Sequence, residues 1–171
     1  MKKLAITPKR WLLTLHLLFA GILLGVSVTF LVLSITAATT NDQSVLLASY
    51  TSMHTLATSA VRASTIGTVV TGILLSIWTK WGLFTFYWII AKEILTLISI
   101  GLGIVGMYIW TLDAMSMTTE EGFSAMQNPA FQINQIQLFS GIFLQIVSLV
   151  AMFILSVFKP WGQRSIKRTK R

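Results

Sequence analysis

The chain has 171 residues, of which 54% are hydrophobic and only 11% are charged, and its formal net charge is +8. Because a soluble domain carries about 25% charged residues, this composition argues against an ordinary soluble domain and against a disordered chain. Cysteine is absent, which excludes disulfides, thiolate metal sites and cysteine nucleophiles.

Four apolar blocks follow one another along the chain. They run from Trp11 to Ala38, from Ala63 to Thr79 with an amphipathic lead-in from Val45, from Leu83 to Leu112, and from Ile136 to Phe158. A helix needs about 20 residues to cross the hydrocarbon core, and it satisfies its own backbone hydrogen bonds there. The first block is too long for the apolar core of a cleaved signal peptide, so we expect a retained span. The sequence therefore predicts an all-α fold, an integral membrane bundle of four transmembrane helices within a single domain, residues 1–158.

The basic residues favour one orientation of this bundle. Eleven of the 13 lysines and arginines lie before span one, between spans two and three, or after span four, and the other two connections contain acids without Lys or Arg. Both termini are therefore predicted to be cytoplasmic, because cytoplasmic loops are enriched in basic residues. Residues 159–171 are predicted to be a basic cytoplasmic tail that is attracted to anionic lipids and not to nucleic acid. The segment from Asp113 to Gln135 is predicted to be an outer loop with a short surface helix.

Each predicted span carries one face of small and polar residues at helical spacing. These faces comprise His16, Ala20, Ser27 and Ser34 in span one, with Gly21 and Gly25 beside them; Arg62, Thr65, Thr68 and Gly72 in span two; Trp88, Lys92, Thr96, Ser99, Gly103 and Gly106 in span three; and Asn134, Gln137, Gly141, Gln145, Ser148, Met152 and Ser156 in span four. In membranes, such faces usually contact other helices. Helix packing alone, or an interior that holds a cofactor or solute, would each explain the pattern.

Ionisable residues inside a span are candidates for function. With a rise of about 1.5 Å per residue, His16 and Lys92 fall in the inner leaflet and Arg62 falls in the outer leaflet. His54 lies near or beyond the outer surface, so the two histidines cannot bind one haem between them. Arg62, Glu93 and Gln145 are predicted to be polar residues of the bundle interior. Simpler interpretations stay open: His16 as a hydrogen-bonded packing residue, and Lys92 or Arg62 reaching towards the headgroups.

Several short motifs resemble a known group of membrane proteins. They are Leu15-His16-Leu17-Leu18 followed by Phe19-Ala20-Gly21, Tyr50-x-x-Met53, Gly67 with Val69-Val70-Thr71, and Trp88-Ile89-Ile90-Ala91-Lys92. Together they resemble the HemJ-type protoporphyrinogen oxidases and the wider CopD-like group of bacterial four-helix membrane proteins, most closely its members of unknown function. The chain departs from the oxidases where Ile66 replaces a proline and where Glu93 adds an acid.

This resemblance implies a protein of the bacterial cytoplasmic membrane that binds b-type haem. It makes His16 the axial ligand of the iron and places Trp88 and Lys92 beside the same pocket. The corresponding function is a redox role in the inner leaflet. The alternative is a non-enzymatic membrane protein without a cofactor, such as an accessory subunit or a small transport component, working as a homo-oligomer or with a membrane partner. A copper-handling role is a third interpretation, although the seven methionines form no tight ligand set.

Overall fold

In the computed structural model, which describes residues 5–79 and 82–163, the chain forms four long helical spans. Each span is long and apolar enough to cross a membrane: Ile6–Thr39, Gln43–Trp78, Tyr87–Gln127 and Pro129–Phe158. No strand occurs in the described ranges beyond an isolated bridge between Phe86 and Gln163. The predicted all-α membrane bundle of four helices is confirmed. Residues 164–171, most of the predicted basic tail, lie outside the described residues.

The spans divide into six α-helices: α1 (Ile6–Thr39), α2 (Gln43–Leu56), α3 (Arg62–Trp78), α4 (Tyr87–Leu102), α5 (Trp110–Glu121) and α6 (Pro129–Phe158). A π-helical turn, Ala57–Val61, joins α2 to α3, and another, Gly103–Ile109, joins α4 to α5. A 3₁₀ turn, Gly122–Gln127, completes span three. We call the end of the bundle where α1 begins and α6 ends the terminal half. The opposite end, with α2 and α5, is the far half.

Helical structure extends further at the far half than the sequence predicts. The lead-in to span two is α2, and most of the segment predicted to be a loop is α5 and its 3₁₀ turn. The reason is tertiary packing: α2 contacts α5 and buries small and apolar residues that stand among polar ones. Gly122 ends α5 with a positive φ of 61°, and a Cβ at that position would lie 2.8 Å from the Gln43 amide.

Two side-chain caps fix where α2 and α6 begin. Asp42 accepts a hydrogen bond from the Ser44 amide at 2.7 Å, and Asn128 accepts one from the Ala130 amide at 2.9 Å. Each cap satisfies a backbone donor that has no partner within its helix. The hydrogen bonds from the Ser44 hydroxyl and amide hold the pKa of the Asp42 carboxyl below its ordinary value. The links that these caps close are short: residues 40–42 separate α1 from α2, and Asn128 alone separates the 3₁₀ turn from α6.

The two halves of the bundle are packed differently. The continuous core occupies the middle and the far half, where Tyr50 contacts Phe131 edge to face with ring centroids 5.6 Å apart. In the terminal half α1 packs on α3, α4 packs on α6, and α1 and α6 join the two pairs. Helices α3 and α4 share no substantial interface in the described ranges. The terminal half is therefore less closed than the far half.

The outer surface suits a lipid environment. Large apolar side chains such as Val32, Leu97 and Ile136 are exposed along the spans. Exposed hydroxyls such as those of Thr29 and Thr36 donate to the carbonyl four residues earlier in the same helix, at 3.1 and 3.0 Å. Such bonds satisfy a hydroxyl where no water is present.

Candidate functional site

His16 is held against α3 through one ring nitrogen. Its Nδ1 lies 3.1 Å from the Thr68 carbonyl oxygen and 2.9 Å from the Thr71 hydroxyl oxygen. The Thr71 hydroxyl donates to the Gly67 carbonyl at 2.6 Å, so its oxygen accepts from the histidine. Because a carbonyl only accepts, this network assigns the hydrogen to Nδ1. A neutral His16 ring then presents the lone pair of Nε2.

Glycines on α3 allow this close contact. A Cβ at Gly72 would lie 3.2 Å from His16 Cε1, and a Cβ at Gly67 would lie 2.6 Å from the Phe19 ring. Larger residues at either position would push α1 and α3 apart. The Gly67 and Thr71 motif of the sequence therefore forms the surface on which His16 and Phe19 rest.

Lys92 is tied to α6. Its Nζ donates to the Ser156 hydroxyl at 2.8 Å, and one turn further along α4 the Thr96 hydroxyl donates to the Met152 sulfur at 3.4 Å. These contacts set the antiparallel alignment of α4 and α6. The ammonium bonds within the bundle, which differs from the alternative that it reaches the headgroups.

The structure brings His16 and Lys92 to a similar depth, although α1 and α4 are not packed directly together. Ser34 and Gln135 line one cavity in the far half, so they mark a common level of α1 and α6. At the helical rise, His16 lies about 27 Å below that level and Ser156 about 31 Å below it. Both side chains therefore lie at a similar depth in the terminal half, and we call these two residues the polar centre.

Two other predicted site residues lie inside the bundle. Trp88 is buried on the first turn of α4, one turn before Lys92. Gln145 is 1% exposed, and its Oε1 has no hydrogen-bond partner among the described residues. Glu93 is partly buried, and its Oε1 likewise has no partner in the described ranges. Trp88 and Lys92 share a face of α4, whereas Gln145 lies nearer the middle of the bundle.

Arg62 is exposed, which corrects its predicted place in the interior. Helix α3 turns Ser64 and Thr71 inwards, and Arg62 lies about 180° around the helix from Thr71 at about 100° per residue.

Gln137 is also exposed, because it lies at the edge of the inward face of α6, where the neighbouring Leu138 is buried. A Cβ added at Gly21 or Gly25 would meet no atom of another helix within 4 Å.

His54 lies far from His16. Its ring packs against Tyr108 with centroids 5.3 Å apart, in the far half of the bundle. Along span two it lies about 25 Å from Thr71, the hydrogen-bond partner of His16. Within the described residues no group of three or more His, Asp or Glu side chains could hold a metal ion. Any metal at His16 would therefore have one histidine ligand.

The sequence did not predict the cavity in the far half. It has a volume of about 260 Å³ and includes Tyr50, Gln135 and Phe139 in its lining. Its walls come from three helices whose alignment is set by tertiary contacts, so no local motif could have indicated it.

Comparison with protein-family models, curated proteins and solved structures finds no match for this chain. The fold defines a class, that of multi-pass helical membrane proteins, and among the described residues the polar centre of His16 and Lys92 lies at the end of the bundle where α1 begins. Any more specific function depends on the chemistry of that centre.

Proposed function

We propose that this chain is a four-span protein of the bacterial cytoplasmic membrane, with both termini in the cytoplasm, that binds b-type haem through His16. One observation carries the proposal: the Thr68 carbonyl fixes Nδ1 of His16 as a donor, at 3.1 Å. Histidines that bind metals commonly donate their other ring N–H to a carbonyl, because this orients the ring and raises the basicity of the ligating nitrogen. With the hydrogen on Nδ1, the lone pair of His16 Nε2 is available to bind iron.

The surroundings of His16 offer further groups for a haem. Lys92 lies at a similar depth and carries an ammonium that can pair with a propionate. Trp88, one turn before it on the same face, offers a buried aromatic wall. The weak contact between α3 and α4 leaves the terminal half without the dense core of the far half. These features fit a haem that would supply one-electron redox chemistry.

His54 does not complete the coordination. It lies in the far half against Tyr108, so the iron would have His16 as its only histidine ligand. His16, with Lys92 and Trp88 near its depth, would hold the group, which would supply one-electron redox chemistry.

The test is the absorption spectrum of the full-length protein purified after expression with added haem. We expect a Soret band that disappears in His16→Ala and persists in the matched control His54→Ala. Lys92→Ala should weaken haem retention without abolishing the band. A band that survives His16→Ala in a folded protein would refute the assigned ligand.

A second candidate is a non-enzymatic membrane protein without a cofactor. The observation that favours it is the packing of the His16 ring, whose Nδ1 bonds to α3 and whose Cε1 rests on Gly72. Under this function His16 only joins α1 to α3. No Soret band in the haem-supplemented wild type, together with loss of thermal stability in His16→Ala, would support it over haem binding.

A further inference from the structure

A groove lies on the outer face of the terminal half, where α4 begins. Its walls come from the first turns of α4 and from the segment after α6: Tyr87, Ile90, Ala91, Ile94, Trp161 and Gly162. Its volume is about 620 Å³. Lys92 lies about 140° around α4 from Tyr87 at about 100° per residue. The groove therefore faces away from the polar centre.

The backbone after α6 forms one wall of the groove. Lys159 and Trp161 have positive φ values of 45° and 65°, which are uncommon for residues other than glycine. An antiparallel bridge then joins Gln163 to Phe86, the residue before α4. These features hold Trp161 beside the start of α4 while its side chain stays 61% exposed.

The lining of the groove changes along its length. Tyr87 and Trp161 form its mouth, next to the ends of α4 and α6, and both side chains are at least half exposed. Tyrosine and tryptophan are enriched at the depth of the lipid headgroups. Ile90 and Ile94 continue the groove along α4 for about 10 Å at the helical rise. The complement of this surface is a molecule with a polar end at the mouth and a hydrocarbon chain along α4.

The charge of the terminal half selects the polar end of that molecule. Lys159 is exposed where α6 ends, and the sequence adds Lys80 in the link between α3 and α4 and Arg164 after α6. Glu93 lies about 120° around α4 from Tyr87 and about 9 Å further along the helix, away from the mouth. The other four acids of the sequence belong to the far half: Asp42, Asp113, Glu120 and Glu121. An anionic headgroup at the mouth would therefore meet basic side chains.

We propose that the groove binds one anionic phospholipid, with an acyl chain along α4 against Trp161 and the phosphate beside Lys159. Complementary charge selects this occupant, because basic residues at the membrane surface attract anionic lipids. Attraction to the basic tail alone would hold lipid without a defined position, whereas the groove fixes a single molecule. The site does not use His16, so it is independent of haem binding.

The experiment measures lipid retained by the full-length protein. The protein is placed in nanodiscs with equal amounts of phosphatidylglycerol and phosphatidylethanolamine, released in the mass spectrometer, and analysed for bound lipid. We expect one retained phosphatidylglycerol per chain, in excess over phosphatidylethanolamine. Trp161→Ala should reduce its retention about tenfold, because it removes an apolar wall of the site. Lys159→Asn, which tolerates a positive φ, should reduce the preference for phosphatidylglycerol about fivefold.

Two further variants separate the groove from general attraction to the tail. Trp11→Ala is the matched control, because Trp11 is 67% exposed in the terminal half and does not line the groove. Both tryptophan variants keep every basic residue, yet Trp11→Ala should retain lipid as the wild type does. Ala91→Phe fills the groove from α4, so it should reduce retention even if Trp161→Ala does not fold.

Several results would overturn the proposal. They are a preference for phosphatidylethanolamine, wild-type retention in folded Trp161→Ala or folded Ala91→Phe, and an equal loss of lipid in Trp11→Ala. A dimer without retained lipid that Trp161→Ala dissociates would also overturn it, because a second copy of the chain would then cover the groove.

Discussion

A close approach of α6 to the π-helical turn after α4 makes a sharp prediction about two glycines. Gly141 of α6 faces Gly106 of the π-helical turn that follows α4, and the Trp110 ring covers both. A Cβ added at Gly141 would lie 2.8 Å from Trp110 Cζ3 and 3.7 Å from the Cα of Gly106. Gly101 of α4 has no such neighbour within 4 Å. Alanine at these two positions should therefore have opposite effects.

The magnitude follows from two competing contributions. Overpacking at a tight contact costs about 1–3 kcal/mol, and replacing a helical glycine with alanine gains about 1 kcal/mol in helix propensity. For Gly141→Ala the contact with Trp110 dominates, and we expect a net loss of about 1 kcal/mol in the free energy of unfolding. Gly141→Leu reaches the backbone of the π-helical turn at Gly106 and should cost about 3 kcal/mol or more. Gly101→Ala has only the gain.

The assay is reversible unfolding in mixed micelles, followed by far-ultraviolet circular dichroism, with all three variants measured beside the wild type. Tryptophan fluorescence gives a second signal that reports directly on Trp110. Equal stability of Gly141→Ala and Gly101→Ala would refute the reasoning, because it would mean that α6 and the π-helical turn Gly103–Ile109 do not approach closely at this pair.

Three further predictions concern orientation, an interior amide and a helix cap. Cysteines introduced at Asn41 or Gln127 should react with an impermeant thiol reagent in intact cells, and one at Gly162 should not; the reverse pattern would invert the proposed topology. Gln145→Leu should raise the free energy of unfolding by about 1 kcal/mol, because it removes a buried carbonyl oxygen to which no described residue donates; a loss of stability would show that Oε1 has a partner in the membrane. The lowered pKa of Asp42 means that its cap stabilises α2 above the ordinary aspartate value of about 3.9 and is lost as pH falls through the lower value of the folded protein. The amide resonance of Ser44 should move over that lower range in the wild type and stay constant in Asp42→Asn.

The sequence predicts the four spans because a transmembrane helix must be long and apolar. These properties belong to a continuous segment, so they can be read without knowing any tertiary contact. It also predicts most of the inward faces, since small and polar residues at helical spacing are costly against lipid. Arg62 shows the limit of this reasoning: spacing alone placed it inside, and its exposure follows from which side of α3 packs on α1. Tertiary packing likewise makes a helix of the polar segment after Asp113, and it aligns α1 with α6 around the cavity at Gln135. These features depend on contacts between distant residues.

The uneven packing of the bundle gives its two halves different physical roles. In the far half, the core around Tyr50, Met53 and Phe131 buries large side chains completely, and such packing resists displacement of one helix against another. In the terminal half, α1 with α3 and α4 with α6 form pairs, and among residues 5–79 and 82–163 the main contact between these pairs is that of α1 with α6. Opening between α3 and α4 would thus disturb little buried apolar surface, and local opening is easiest where few such contacts exist. Because His16 is fixed to one pair and Lys92 to the other, a ligand that bridges them would join the two pairs. Binding at this centre should therefore protect the terminal half from hydrogen exchange more strongly than the far half.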